Sequence, residues 1–379
     1  MRKGIAIGLL LGLVGSAGLA VAAEPLRIGA LFSVTGPASF LGEPEKNTIE
    51  MLVKDLNAKG GVNGSQIVLQ VYDTQGDPTK AVQLATKLIK EDKVVAIVGP
   101  STTGESMAII PLVERDQIPL VSCAAGVKIT DPVKPWVFKT PANDQVAGGK
   151  ILEYMAKQGQ KNIALLTASD GFGASGREQL KLLAAAKGFT VVADETFGPK
   201  DTDMTAQLTK IRGLNPDAII CWGTNPGPAA VTKNVKQLGI KVPLYMSHGV
   251  ASKKYIELAG AEAAEGVKLP AGKLAIFDKL KADDPQAALL KAYDQAYRAA
   301  FGVEASTFGG YAYDGLQLII DAVKKNGASP EQIRSGIEQT SKMVGVSGIF
   351  SMSPTDHNGL DLSAFEMVKI VGGDWTIAQ

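Results

Sequence analysis

Three consecutive hydroxyls, Ser101-Thr102-Thr103, follow the apolar run Val94–Val98 and lead through Gly104-Glu105-Ser106 into a helical pattern. Hydroxyls and free backbone N–H groups at a helix start form a site for an anion such as a carboxylate, although one such hydroxyl commonly does no more than cap the helix. No Gly-Lys-Ser/Thr follows, so the segment is not a P-loop. A second apolar run ends in Ser122-Cys123-Ala124-Ala125-Gly126, small residues that admit either a ligand near the backbone or tight packing. Later runs end in Ser169-Asp170-Gly171-Phe172-Gly173, in Gly223-Thr224-Asn225-Pro226 and in Ser247-His248-Gly249. These put polar and aromatic groups where an opposite wall would lie.

Other chemistry has little material. The chain holds two histidines, His248 and His357, and no GxSxG, HExxH or GxGxxG motif, so a Ser/His/Asp triad or a histidine metal cluster has little material. No cofactor is expected. His357 lies in a polar tail segment and reads as a surface residue. Cys123 and Cys221 are separated by almost a hundred residues, each beside an apolar run; two buried free thiols are expected ahead of a disulfide.

The elements that must position these groups alternate in kind. Strand patterns at Leu26–Val34, Gln66–Tyr72 and Val94–Val98 are separated by helical ones at Glu43–Ala58 and Pro78–Lys90, the latter with Ala81, Leu84, Ala85, Leu88 and Ile89 on one face. The wholly apolar Val94–Val98 suits a parallel sheet covered on both faces. The grammar restarts after Pro132–Asn143: strands at Asn162–Thr167, Thr190–Ala193, Asp217–Trp222 and Val242–Met246, with helices at Gly176–Lys187, Thr205–Arg212 and Val231–Leu238. Leu269-Pro270 breaks the pattern. Long helices follow, including Pro285–Phe301 and about Tyr311–Lys325, and Pro330–Gln339 opens on Ser329 as cap with Pro330 at its first position. Only Phe350 and Phe365–Val371 then read as extended. The expectation is an α/β fold of two doubly wound lobes whose tail completes both, so that the chain crosses between them more than once. Such crossings make a hinge, and a ligand would bind in the crevice at the carboxyl ends of the strands. The lobes are expected at 24–141 with about 271–350, and at 142–270 with about 351–379.

The first 23 residues combine Arg2-Lys3, an apolar stretch from Ile5 to about Val14, and Ala20-Val21-Ala22-Ala23. That order predicts a secretory signal peptide cleaved after Ala22 or Ala23, too short and Gly-rich for a spanning helix. No cysteine lies near the cleavage site, and no other stretch reads as membrane-spanning. With Arg2 and Lys3 removed, the 39 basic residues fall just below the 38 acidic ones. A near-neutral chain without a basic run argues against nucleic acid as partner.

In order and spacing, several strings resemble the type I periplasmic binding proteins of the leucine/isoleucine/valine-binding group, which feed ATP-driven importers. They are Ile28-Gly29-Ala30-Leu31 with Thr35-Gly36-Pro37, Gly60-Gly61-Val62-Asn63-Gly64, Asp73-Thr74-Gln75-Gly76-Asp77-Pro78, Val98-Gly99-Pro100-Ser101 and Ile118-Pro119-Leu120-Val121-Ser122. The resemblance implies a non-enzymatic, periplasmic solute carrier whose partners are a small carboxylate and the membrane permease of an ABC importer; a ligand-sensing receptor component is the alternative class. It also implies that Ser101, Thr102, Thr103, Ala124 and Ala125 hold the ligand's carboxylate. Amino-acid binders of the group hold the ammonium with a threonine just after the Ala-Ala pair and an acid from the second lobe; here those positions carry Gly126 and His248. Tyrosines of the second lobe are matched by Phe172 and Asn225. These departures predict a carboxylate without an α-ammonium, aromatic or 2-keto, with His248 as a donor able to carry charge near its ordinary pKa of ~6.5. Branched-chain or other apolar amino acids remain the alternative, with Asp170 as a shifted acid.

Overall fold

The computed structural model describes residues 24–378, so the leader lies outside the described residues. Strands β1 (Leu26–Phe32), β2 (Ile67–Asp73), β3 (Ala96–Val98), β4 (Leu120–Ser122) and β5 (Val137–Lys139) form a parallel sheet in the order β2-β1-β3-β4-β5. A second sheet takes β6 (Asn162–Ala168), β7 (Thr190–Phe197), β8 (Ala218–Trp222), β9 (Leu244–Met246) and β10 (Lys268–Gly272). A short hairpin of β11 (Met343–Val344) and β12 (Ile349–Phe350) stands apart. Antiparallel β13 (Phe365–Val371) and β14 (Asp374–Ile377) complete the second sheet, in the order β14-β13-β10-β9-β8-β6-β7. The fold is therefore α/β with two parallel-sheet lobes. All of β3, β4 and β8 is buried, as helices on both faces require.

Five helices bear on the site: α1 (Ser39–Ala58), α2 (Pro78–Lys90), α3 (Thr103–Asp116), α4 (Asp144–Lys157) and α5 (Gly171–Ala186). The tail helix Thr307–Asn326 packs on α1 and β3 and gives Phe308, Tyr311, Leu316 and Ile319 to the first core. The chain passes from β5 into α4 of the second lobe, returns after β10, and passes again between Phe350 and Phe365.

Several boundaries differ from expectation, each for a local reason. Helix α1 starts at Ser39, ahead of Gly42 and Pro44. A Cβ on Gly42 would lie 2.3 Å from the Ser33 backbone, so the glycine is what lets α1 approach the end of β1. Helix α5 starts at Gly171 because the Asp170 side chain caps it, accepting from Gly173 N at 2.8 Å. Leu269-Pro270 lies within a strand: β10 pairs β9 only at Lys268 opposite Tyr245, so the missing proline N–H leaves little unpaired. Strand β3 is shorter than the apolar run, β7 longer, and β11 and β14 carried too few apolar residues to be read as extended. Ser329 caps Pro330–Glu338 in a capping box with Gln332.

His357 is not on the surface. It is 1% exposed, stacks on Phe138 with centroids 4.1 Å apart, and places Nδ1 2.9 Å from the Val137 carbonyl and Nε2 3.5 Å from Glu338. The polar tail segment around it folds back over the end of the first sheet, with Asn358 donating to the carbonyls of Lys139 and Pro141. Cys123 and Cys221 are free and buried.

Candidate functional site

Ser101, Thr102, Thr103, Ala124, Ala125, Phe172, Asn225 and His248 all line one cavity of about 510 Å³ between the lobes. The first five come from the carboxyl ends of β3 and β4, and the last three from those of β6, β8 and β9. The lobes touch around it. A Cβ on Gly171 would lie 3.3 Å from Gly104 N, Val127 N donates to Ser175 Oγ of α5 at 3.2 Å, and Lys128 pairs with Glu178 at 2.6 Å.

The hydroxyls of the first wall are not equivalent. Thr102 caps α3: its Oγ accepts from Glu105 N and donates to Glu105 Oε2 at 2.6 Å, while its N–H meets the same oxygen. Ser101 Oγ accepts from Ser33 N at 3.0 Å and donates to Glu45 Oε2. Thr103 Oγ accepts from Gly126 N at 3.2 Å and retains its own proton for the cavity. The N–H groups of Thr103 and Gly104 lie in the first turn, with no carbonyl one turn back to accept them. An anion at this wall would therefore meet a helix N-terminus and one uncommitted hydroxyl, Thr103.

The second wall is aromatic and polar. Phe172 lies 5.5 Å from the His248 ring and 5.8 Å from Trp222, and His248 lies 5.2 Å from Phe365, all between centroids. Gly249 makes room for this cluster, since a Cβ there would lie 2.6 Å from Phe172. His248 is 2% and Asn225 5% exposed, and neither ring nitrogen of the one nor either amide atom of the other has a hydrogen-bond partner. Four buried polar atoms facing a cavity without partners carry a desolvation cost that a ligand can offset. Burial, reinforced by the Lys139 charge, pushes the His248 pKa down to about 3. His248 is thus a neutral imidazole, one donor and one acceptor, and not the charge carrier its ordinary pKa suggested.

Three contributors were not read as site residues from the sequence. Phe308 and Tyr311 close the cavity from the tail helix, three residues apart on one face. Lys139 is wholly buried beneath it, donating to the Ala125 carbonyl at 2.7 Å. Burial lowers its pKa against the opposing charge of Asp144, whose own pKa burial raises while Ser175 donates to it. A lysine ending the apolar run Val137-Phe138-Lys139 was the one available clue.

A larger cavity of about 600 Å³ opens elsewhere between the lobes, near Glu43, Lys253 and Arg298. None of the candidate residues lines it, and the ion pairs Arg298–Asp294 and Lys253–Asp374 lie within its walls. The smaller cavity gathers four unpartnered buried polar atoms, two each on His248 and Asn225, against Ser252 Oγ alone in the larger. Among the described residues no cluster of side chains could hold a metal ion, and no helix is long and apolar enough to cross a membrane.

Residues 25–372 match the family model for periplasmic binding proteins. The chain is 24% identical over 360 residues to the leucine-, isoleucine-, valine-, threonine- and alanine-binding protein of Pseudomonas aeruginosa, covering 94% of each chain. It is 25% identical over 346 residues to Leu/Ile/Val-binding protein homolog 2 of Brucella abortus, covering 89% of each. Among solved structures it is similar to an extracellular ligand-binding receptor from Rhodopseudomonas palustris HaA2, at TM-score 0.87 and 28% identity over 93% of this chain and 99% of that one. It is also similar to the branched-chain amino acid transporter substrate binding protein LivJ from Streptococcus pneumoniae in complex with isoleucine, at TM-score 0.83 and 27% identity over 94% and 99%. With the two lobes, the cavity between them and a match that spans nearly the whole chain, this protein belongs to the periplasmic binding protein family, whose members bind solutes and catalyse nothing.

Proposed function

We propose that the protein is the periplasmic subunit of an ABC importer and closes on a small carboxylate without an α-ammonium, an aromatic or 2-keto acid. The observation that carries this reading is the pair His248 and Asn225, buried, unpartnered and beside the Phe172 ring. A neutral imidazole and an amide can donate to and accept from keto, hydroxyl or carboxylate oxygens. The Lys139 charge that disfavours a proton on His248 would disfavour an ammonium there too. Thr103, the start of α3 and the backbone at Ala124-Ala125 would take the carboxylate, and Phe172 the apolar body. Lobe boundaries are taken at 24–141 with about 271–350, and 142–270 with about 351–379.

A second reading, an apolar amino acid, is favoured by one feature: Asp170 also lines the cavity. The names of the Pseudomonas and Brucella relatives point the same way. A thermal-shift panel of phenylacetate, benzoate, coumarate and phenylpyruvate against leucine, isoleucine and valine separates the two. A ligand at about 100 times its Kd adds roughly 2.7 kcal/mol to stability. Stabilisation by leucine with none by the four acids refutes the first reading. Copurification with a receptor in place of a permease would refute the transport role, and N-terminal sequencing of the periplasmic fraction checks cleavage after Ala22 or Ala23.

A further inference from the structure

Behind the first wall, outside the cavity lining, two glutamates from different helices converge. Glu45 of α1 and Glu105 of α3 are both wholly buried and share the hydroxyl network of Ser33, Ser101 and Thr102. Glu105 Oε2 accepts from Ser33 Oγ at 3.0 Å, Thr102 N at 3.1 Å and Thr102 Oγ at 2.6 Å. Glu45 Oε2 has Ser101 alone, and Oε1 of neither glutamate has a partner. With one donor against three, Glu45 is the poorer solvated of the two. Burial raises its pKa well above the ordinary value, Ser101 opposes, and Glu105 adds to the rise.

We infer that Glu45 is a positioning residue whose protonation decides whether Ser101 can donate to a ligand's carboxylate. Ser101 Oγ has one proton and two lone pairs. One lone pair takes Ser33 N–H in either state. With Glu45 ionised, Ser101 must donate to it, and its hydroxyl is spent. When Glu45 takes a proton from solvent on Oε2, that proton is donated to Ser101's second lone pair. The Ser101 proton is then released toward the cavity, and a wall with one free hydroxyl, Thr103, gains a second.

The groups facing Glu45 do not replace this control. From α3 comes Glu105, from the end of β4 the Cys123 thiol, and from the tail helix Tyr311 with Asp314 behind it. Just after β1 and β2 stand the neutral Ser33 and Thr74, in contact with each other. None of these is a cation, so nothing among them stabilises an ionised Glu45.

The inference rests on the proposed reading only in requiring a carboxylate ligand, which phenylacetate and L-isoleucine both carry. Calorimetric titration of each between pH 5 and 9.5 tests it. Wild-type affinity should fall as Glu45 ionises, by up to about tenfold per pH unit, and ten- to a hundredfold in all for one lost donor to a charged group. Glu45→Gln, whose amide donates permanently to Ser101, should hold the low-pH affinity at every pH. Ser101→Ala should bind weakly throughout, with the pH dependence gone. A flat wild-type profile, or a Glu45→Gln profile that bends like the wild type, overturns the proposal; if Glu45→Gln does not fold, Ser101→Ala retaining the wild-type bend overturns it equally. Binding of isoleucine without phenylacetate would refute the ammonium-free reading and leave this test intact, whereas no binding of either at any pH refutes both.

Discussion

Replacing His248 by leucine separates a ligand-contacting imidazole from one that merely fills the core. Both ring nitrogens are buried without a protein partner, a cost of about 1–3 kcal/mol that an apolar side chain does not incur. Against that gain stands lost packing on Phe172, Trp222 and Phe365, whose centroids lie 5.2–5.7 Å from the ring. An aromatic contact is worth about 0.5–1.5 kcal/mol, so the two terms nearly cancel. Unfolding free energy by urea should change by less than about 1.5 kcal/mol. Affinity should not be spared: a hydrogen bond to a charged ligand contributes about 1.5–3 kcal/mol, so Kd for the best ligand in the panel should rise about ten- to a hundredfold. The assay is calorimetric titration beside urea unfolding of the same preparation. Unchanged Kd would remove His248 from the site, and a stability loss above about 3 kcal/mol would show that its nitrogens had been satisfied.

The same histidine sets a pH dependence. Its folded pKa lies near 3, below the ordinary ~6.5, so below that value the unfolded chain binds the proton more readily and stability falls with pH, by up to about 1.4 kcal/mol per unit; His248→Leu should lack that slope in unfolding measured from pH 7 to 4.5. Gly249→Ala puts a Cβ 2.6 Å from Phe172, and the forced shift should cost about 1–3 kcal/mol by urea unfolding and weaken binding. Gly42→Ala meets backbone in place of a flexible ring, so its destabilisation in the same assay should be at least as large. Lys128→Ala removes an exposed pair that joins the lobes, with side chains 58% and 48% exposed, and should weaken ligand affinity at most about fivefold, an effect that vanishes at high salt.

The alternation of strand and helix was legible because each element is long enough to show its period and both sheets are covered on both faces. Boundaries failed where a single residue's contact, and not the period, decides them. Asp170 starts α5 early, and the absence of a Cβ at Gly42 lets α1 begin before Pro44; neither is visible in periodicity. His357 was misread because polarity of a segment reports solvent only when no sheet end lies over it. The site divides in the same way. Residue types at strand ends found eight cavity-lining positions, since the carboxyl ends of a parallel sheet fall on one side by geometry.

What the types could not give is the direction of protons. Ser101, Thr102 and Thr103 look like three donors in a row. Yet Thr102 gives its proton to Glu105, Ser101 gives its own to Glu45 whenever Glu45 is ionised, and only Thr103 keeps one in either state. Glu45 arrives from α1 and Glu105 from the first turn of α3. A hydroxyl is a donor or an acceptor according to its neighbours, so the character of this wall belongs to the packing of α1 and α3. Two chains sharing the Ser-Thr-Thr string but differing at position 45 would therefore present different walls to the same ligand. An anion would bind better to the one whose residue 45 donates.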